Sequence, residues 1–172
     1  SPDLRIQLIK NKINKVDAVL YSHMHADQTH GINDLRVFYL KTKKTLPVFA
    51  DISTSKYLIK TFGYCFKSTS NEYPPILNLK KIKKKLYFTD LKKKILIETA
   101  TVKHGMVDSI CYIIEKKVAY ISDVSEISKK DYHEKGWDRE GWQIVKPEEV
   151  AKQKAKESIS EAARIDHAED LV

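Results

Sequence analysis

The most informative feature of this chain is a cluster of metal-binding residue types directly after a largely apolar segment. Residues 16–21 have the composition of a buried strand, and the next ten read SHMHADQTHG. Three histidines and one aspartate therefore fall within the eight positions from His23 to His30. Because side chains alternate along an extended segment, His23 and His25 should point the same way and reach one ion. Imidazole and carboxylate ligands suit zinc, iron or manganese, so the segment predicts a divalent-metal site.

Three further acidic or histidine side chains are candidates for the same site. Asp27 lies within the segment and could bind a second ion or act as a base toward a metal-bound water. His104 follows the strand-like residues 95–101, and Asp123 ends the strand-like residues 118–122. A carboxylate at the carboxyl end of a strand is well placed to enter a site. On spacing alone, His104 could equally be a loop histidine and Asp123 a turn or cap residue.

The remaining pattern predicts a mixed fold in which helices cover sheets. Ser1 and Pro2 suit the start of a helix that reaches about Lys12. Asp51 can cap a helix that Gly63 ends, and residues 68–80 read as a loop or lid. Other expected elements are a helix over 32–40, strands over 46–50, 86–88, 95–99, 110–114 and 118–121, a turn at 115–117, and a final helix from Pro147.

Composition narrows the class of protein. Hydrophobic residues make up 42% and charged residues 31% of 172 residues, which is typical of a globular domain. No segment approaches the roughly 20 apolar residues that span a bilayer, and the start of the chain lacks a signal-peptide pattern. Two widely spaced cysteines, Cys65 and Cys111, indicate reduced thiols. We therefore expect a cytoplasmic protein with no membrane partner.

The net charge of +8 comes mainly from lysine, with runs at residues 80–85 and 92–94. Such runs form a solvated surface or attract polyanions. They lack the interleaved arginines and stacking aromatics of many nucleic-acid interfaces. A small phosphorylated substrate is therefore the favoured partner, and RNA the less favoured one.

These motifs together resemble the metallo-β-lactamase superfamily. The resemblance rests on His23-x-His25-x-Asp27 followed by Gly31, on His104-Gly105, and on Tyr120-Ile121-Ser122-Asp123. Residues 1–5, 30–36 and 74–77 are similar to the phosphoribosyl cyclic-phosphate phosphodiesterase-like branch. The resemblance covers about residues 1–128. It implies an α+β fold, an αββα sheet-and-helix sandwich incomplete at both ends, with residues 129–172 as a separate polar tail carrying the last helix.

The resemblance also implies a role for each motif residue. His23, His25 and His104 would bind one ion, Asp27 a second, and Asp123 would bridge the two. A hydroxide held by the metal would attack phosphorus. His30 would contact the substrate or support a ligand, and a purely structural role is equally compatible with its position. The implied cofactor is zinc, with manganese or iron as alternatives.

The chain departs from the family pattern in three ways. Gln28 stands where the family has a second-metal histidine, and a glutamine carbonyl is at best a weak ligand. Neither His133 nor His167 lies in the context of the family's last histidine ligand. The family also has strands before Ser1 and a second half after Asp123, so we expect a truncated member. The expected number of ions is therefore one or two.

The sequence thus predicts a metal-dependent hydrolase, most plausibly a phosphodiesterase for a small or cyclic phosphodiester. One alternative is a catalytically impaired member that survives as a binding protein. A second alternative is a metal-dependent nuclease. A sheet edge left open by a missing half would also allow a homodimer.

Overall fold

The computed structural model describes residues 1–68, 73–90 and 93–128. The strands of this part of the chain form two sheets. A parallel sheet has the order β1-β2-β3, and an antiparallel sheet has the order β4-β5-β6-β7. The strands are β1 Val19–Leu20, β2 Leu46–Ala50, β3 Leu77–Lys81, β4 Lys85–Asp90, β5 Lys93–His104, β6 Val107–Ile114 and β7 Val118–Tyr120.

Helices make the crossover connections that parallel strands require. The described helices are α1 Leu4–Lys10, α2 Ala26–Thr29, a 3-10 helix Ile32–Leu35, α3 Arg36–Thr42 and α4 Ile52–Phe66. The α2, 3-10 and α3 helices lie between β1 and β2, and α4 lies between β2 and β3. None of the helices described is both long and apolar enough to cross a membrane.

The central strand β2 is packed on both of its faces. Leu46, Val48 and Ala50 are buried in a cluster that includes Phe38 of α3 and Leu58 of α4. The alternate residue Phe49 packs with the antiparallel sheet, in a second cluster built around Leu86, Ile97, Ile110 and Tyr112. The two sheets therefore stack face to face, with helices against the outer face of the parallel sheet. This arrangement confirms the predicted layered α+β architecture.

Helix α4 confirms one prediction and corrects another. The Asp51 side chain accepts hydrogen bonds from the backbone N–H groups of Ser53 and Thr54, so it is the N-cap as expected. Gly63 does not end the helix, which continues to Phe66 across a kink at Phe62. Gly63 is not among the residues with positive φ, and burial of Cys65 keeps the last turn against the core.

Three other element predictions need correction. Residues 77–80, expected in a loop, belong to β3, which pairs in parallel with the whole of β2. Strand β1 covers only two residues of the predicted 16–21. Asp3, rather than Ser1, precedes the first helix, and its side chain makes no capping hydrogen bond. The division at residue 128, the final helix, His133 and His167 concern residues outside the described part of the chain.

Candidate metal centre

The polar segment after β1 is held in place by strand β6. The Ile110 N–H donates to the Ser22 carbonyl at 2.8 Å, and the Tyr112 hydroxyl donates to the Tyr21 carbonyl at 2.7 Å. Tyr21, Ser22 and His23 are all buried. The histidine segment therefore leaves the interface between the two sheets along a fixed path.

Three histidines from two elements meet at this edge of the sandwich. His23 and His25 come from the segment after β1, and His104 is the last residue of β5. Their ring centroids lie 4.6 Å (His23–His25), 5.0 Å (His23–His104) and 5.1 Å (His25–His104) apart. One nitrogen from each ring lies within 4.8 Å of the other two. The structure thus brings together three sequence-predicted ligands separated by up to 81 positions in the chain.

His23 is the buried member of the group and is held neutral. Its pKa is lowered first by burial and then by the neighbouring His25 ring. Its Nδ1 lies 3.1 Å from the Ser22 hydroxyl and 3.5 Å from the Ser109 hydroxyl. If Nδ1 carries the proton and donates to a serine, Nε2 keeps its lone pair for an ion. The two serine hydroxyls thereby help to hold the orientation of the ring.

Two carboxylates lie beside the histidines and are linked by one amide. Asp123 Oδ2 is 3.8 Å from His23 Nε2. Gln28 Nε2 donates to Asp27 Oδ2 at 2.8 Å and to Asp123 Oδ2 at 3.5 Å. The hydrogen bond from Gln28 is the main reason why the pKa of Asp27 is lowered. Burial, followed by the charges of Asp123 and Asp27, raises the pKa of the nearby Tyr120.

Asp123 is positioned through the chain that follows it. Lys103 and Glu126 form an antiparallel bridge, so this chain runs beside the end of β5. The Ser125 N–H donates to the Lys103 carbonyl at 2.7 Å, and the Ser125 hydroxyl accepts from the Gly105 N–H at 3.0 Å. The bonded residues Lys103 and Gly105 flank His104 in the sequence, and Ser125 lies two residues after Asp123. These bonds therefore hold Asp123 close to the histidines.

The donor set fits one divalent ion. With Zn–N bonds of about 2.0–2.1 Å, two nitrogens of a tetrahedral site lie about 3.3 Å apart. His23 Nε2 and His25 Nδ1 are 3.0 Å apart, and the third imidazole lies within reach of both. The Asp123 oxygen beside His23 offers a fourth donor. Three imidazoles with an additional position are the ligand set of a catalytic zinc site.

His30 has a different set of neighbours from these residues. Its Nε2 lies 3.1 Å from the Tyr57 hydroxyl, and its ring makes an edge contact with Phe62. Both partners belong to α4. These contacts favour the structural alternative for His30, and a catalytic role for it stays a prediction.

Two residues beside the histidines, Ser22 and Ser109, were not predicted from the sequence as members of the site. Ser109 lies in β6 between the exposed Asp108 and the apolar residues that follow, and it is fully buried. A small polar residue within a buried strand is a weak signal, because it has many structural explanations. Only the fold shows that its hydroxyl faces His23.

Comparison with known proteins agrees with this geometry. The profile of the beta-lactamase superfamily domain matches residues 1–137, most of the chain. The chain belongs to the metallo-β-lactamase superfamily. Its sheet-and-helix sandwich is therefore the partial metallo-β-lactamase fold that the motifs predicted.

Two solved structures resemble this member of the superfamily. A diphosphatase from the PhnP family has 25% sequence identity and a TM-score of 0.64, covering 78% of this chain and 49% of that chain. The metallo-beta-lactamase fold protein YhfI from Bacillus subtilis has 17% identity and a TM-score of 0.49, covering 73% of this chain and 48% of that chain. The chain thus spans about half of each.

A curated relative is much longer than this chain. An octanoyltransferase from Porphyromonas gingivalis is 30% identical over 135 residues. The match covers 76% of this chain and 26% of that protein. The similarity therefore concerns about a quarter of the relative.

Proposed function

We propose that this chain carries the metal centre of a metal-dependent hydrolase that acts on a small phosphodiester. The observation that carries the proposal is the meeting of His23, His25 and His104 beside the Asp123 carboxylate. Three imidazoles and one carboxylate around a single point form a site for a divalent ion, with zinc as the best match.

The residues of the site have distinct roles in this proposal. The three histidines would hold the ion, and the hydroxyls of Ser22 and Ser109, which lie beside Nδ1 of His23, help to aim that ring at it. Asp123 lies where it can orient a water molecule or complete the ligand set. A bound divalent ion would supply Lewis acidity, neutralising charge on a phosphate and making water nucleophilic near neutral pH. Asp27, whose carboxylate lies beside Asp123 on the Gln28 amide, is the candidate proton acceptor of this proposal.

Two observations support phosphate as the reacting group. One similar structure is a diphosphatase of the PhnP family, at 25% identity. The net charge of +8 also favours anionic substrates. A phosphodiester is preferred because three segments resemble the phosphodiesterase-like branch, and the superfamily fold alone does not select the chemistry.

The first test is metal content together with hydrolysis of bis(p-nitrophenyl) phosphate by the zinc-loaded protein. His25→Ala should abolish both the bound metal and the hydrolysis, because it removes an exposed ligand without disturbing the core. His30→Ala is the matched control for metal content, since it removes a nearby exposed histidine that contacts α4, and it should keep the bound metal. A folded wild-type protein without metal or hydrolysis would overturn the proposal.

One contact favours a second candidate, the catalytically impaired binding protein. Gln28 hydrogen-bonds to Asp27 and Asp123, which are the acidic groups closest to the histidines. If these bonds disable the carboxylates, the protein would bind metal without hydrolysing the ester. Metal binding with no turnover of either the diester or a diphosphate would favour this candidate.

A further inference from the structure

The hydrogen bonds from Gln28 to two carboxylates affect how many metal ions the site can hold. Asp27 and Asp123 are 96 positions apart in the chain, and the Gln28 amide nitrogen donates to one oxygen of each. Asp27 belongs to α2, whereas Asp123 follows β7. The amide therefore joins the two elements that bring acidic groups to the histidines.

The chemistry of the amide group fixes its orientation. A side-chain amide has an NH2 group with two donors and a carbonyl oxygen that only accepts. Turning the amide over would place its oxygen against two carboxylate oxygens, which is repulsive. The NH2 group therefore faces the pair, and its two hydrogens match the two oxygens.

A divalent ion between these carboxylates would face the NH2 group of the amide rather than its carbonyl oxygen. Such an ion needs lone pairs from its neighbours, and the NH2 group presents hydrogens instead. Those hydrogens also offset part of the negative charge that would otherwise attract a cation. Asp123 Oδ2 also lies 3.8 Å from His23 Nε2, and the three histidines gather their own ligand nitrogens within 4.8 Å of one another.

We infer that the Gln28 amide occupies the place of a second cation by tethering Asp27 to Asp123, which makes the metal centre mononuclear. The inference rests on the metal site of the proposed function. Gln28 is accordingly a positioning residue: it holds Asp123 toward His23 and sets the number of ions without binding one itself.

The test is zinc stoichiometry, measured by elemental analysis and by calorimetric titration with Zn²⁺ on the whole chain. Gln28→Glu keeps the shape of the side chain but replaces both hydrogen-bond donors with a third carboxylate. The added negative charge should favour the binding of a cation. Gln28→His provides an imidazole lone pair at the same place. Gln7→Glu, on the exposed face of α1, makes the same charge change away from the site and is the control.

The wild type and Gln7→Glu should bind a single ion per chain, and Gln28→Glu and Gln28→His should bind a second. A wild type with two ions would overturn this inference and leave the proposed function intact. A wild type with none would overturn the proposed function as well. Gln28 variants that fold, by circular dichroism, and still bind a single ion would show that the amide does not set the count.

Discussion

At the scale of single residues, the site depends on groups buried behind it as much as on its ligands. The Tyr112 hydroxyl donates to the Tyr21 carbonyl two residues before His23. Tyr112 is buried between the sheets, and burial is the main reason why its pKa is raised above the usual value of about 10. One phenol therefore links the stability of the sandwich to the path of the histidine segment.

Tyr112→Phe should lower the free energy of unfolding by about 1–2 kcal/mol at pH 7, because the buried Tyr21 carbonyl loses its donor. The sign of the pH effect follows from the raised pKa. Above pH 10 the unfolded chain releases the phenolic proton and the folded chain keeps it, so stability falls as pH rises.

Removing Tyr112 should therefore reduce the alkaline slope of stability by about 1.4 kcal/mol per pH unit. Urea denaturation between pH 8 and about pH 11.5 measures this slope. Tyr87→Phe removes the phenolic hydroxyl of an exposed tyrosine of β4 and is the control for the loss of one hydroxyl. Equal slopes for wild type and Tyr112→Phe would show that the Tyr112 phenol does not contribute to the loss of stability at alkaline pH.

At the scale of elements, the sequence predicted the features that local interactions determine and missed those that depend on contacts between distant residues. Strand β2 was predicted correctly at residues 46–50, and Asp51 was predicted correctly as a helix N-cap. Both features depend on local residue types, which can be read directly from the sequence. Strand β3 was missed because the serines, the asparagine and Pro74-Pro75 before it indicated a loop. Leu77 and Leu79 do alternate with polar residues as in a strand, but the short segment becomes one by pairing with β2. The site showed the same contrast: the motif histidines were visible, whereas the Gln28 bridge and Ser109 required the fold.

The contact of α1 with the site segment allows a test at this scale. A Cβ at Gly31 would lie 2.1 Å from the Ser1 carbonyl oxygen and 2.7 Å from Leu4 Cβ. Gly31→Ala should therefore displace α1 and lower the free energy of unfolding by about 1–3 kcal/mol. Gly63→Ala is the matched control, since nothing lies within 4 Å of its added Cβ, and it should be neutral or slightly stabilising. Thermal unfolding of the two variants distinguishes this clash from a general effect of losing a glycine.

At the scale of the whole molecule, positive charge is spread unevenly over the described surface. Lys80, Lys81, Lys83, Lys84 and Lys85 are exposed around the connection from β3 to β4. This connection joins the parallel sheet to the antiparallel sheet. Such a positive field attracts anionic substrates over distances of the order of the Debye length, about 10 Å at 0.1 M salt.

The field should make hydrolysis of an anionic phosphodiester sensitive to salt. If the lysines assist encounter, kcat/KM for bis(p-nitrophenyl) phosphate should fall several-fold from about 20 to about 500 mM NaCl, with kcat nearly constant. Lys83→Glu with Lys84→Glu should flatten that dependence, because the two changes reverse charge without touching the histidines.

The control is the same pair of lysines changed to arginine, which preserves the charge and should preserve the salt dependence. A salt response that is identical in the glutamate and arginine variants would mean that this surface does not steer the substrate. The positive charge would then act as a solvated surface, which is the other interpretation that the lysine runs allow.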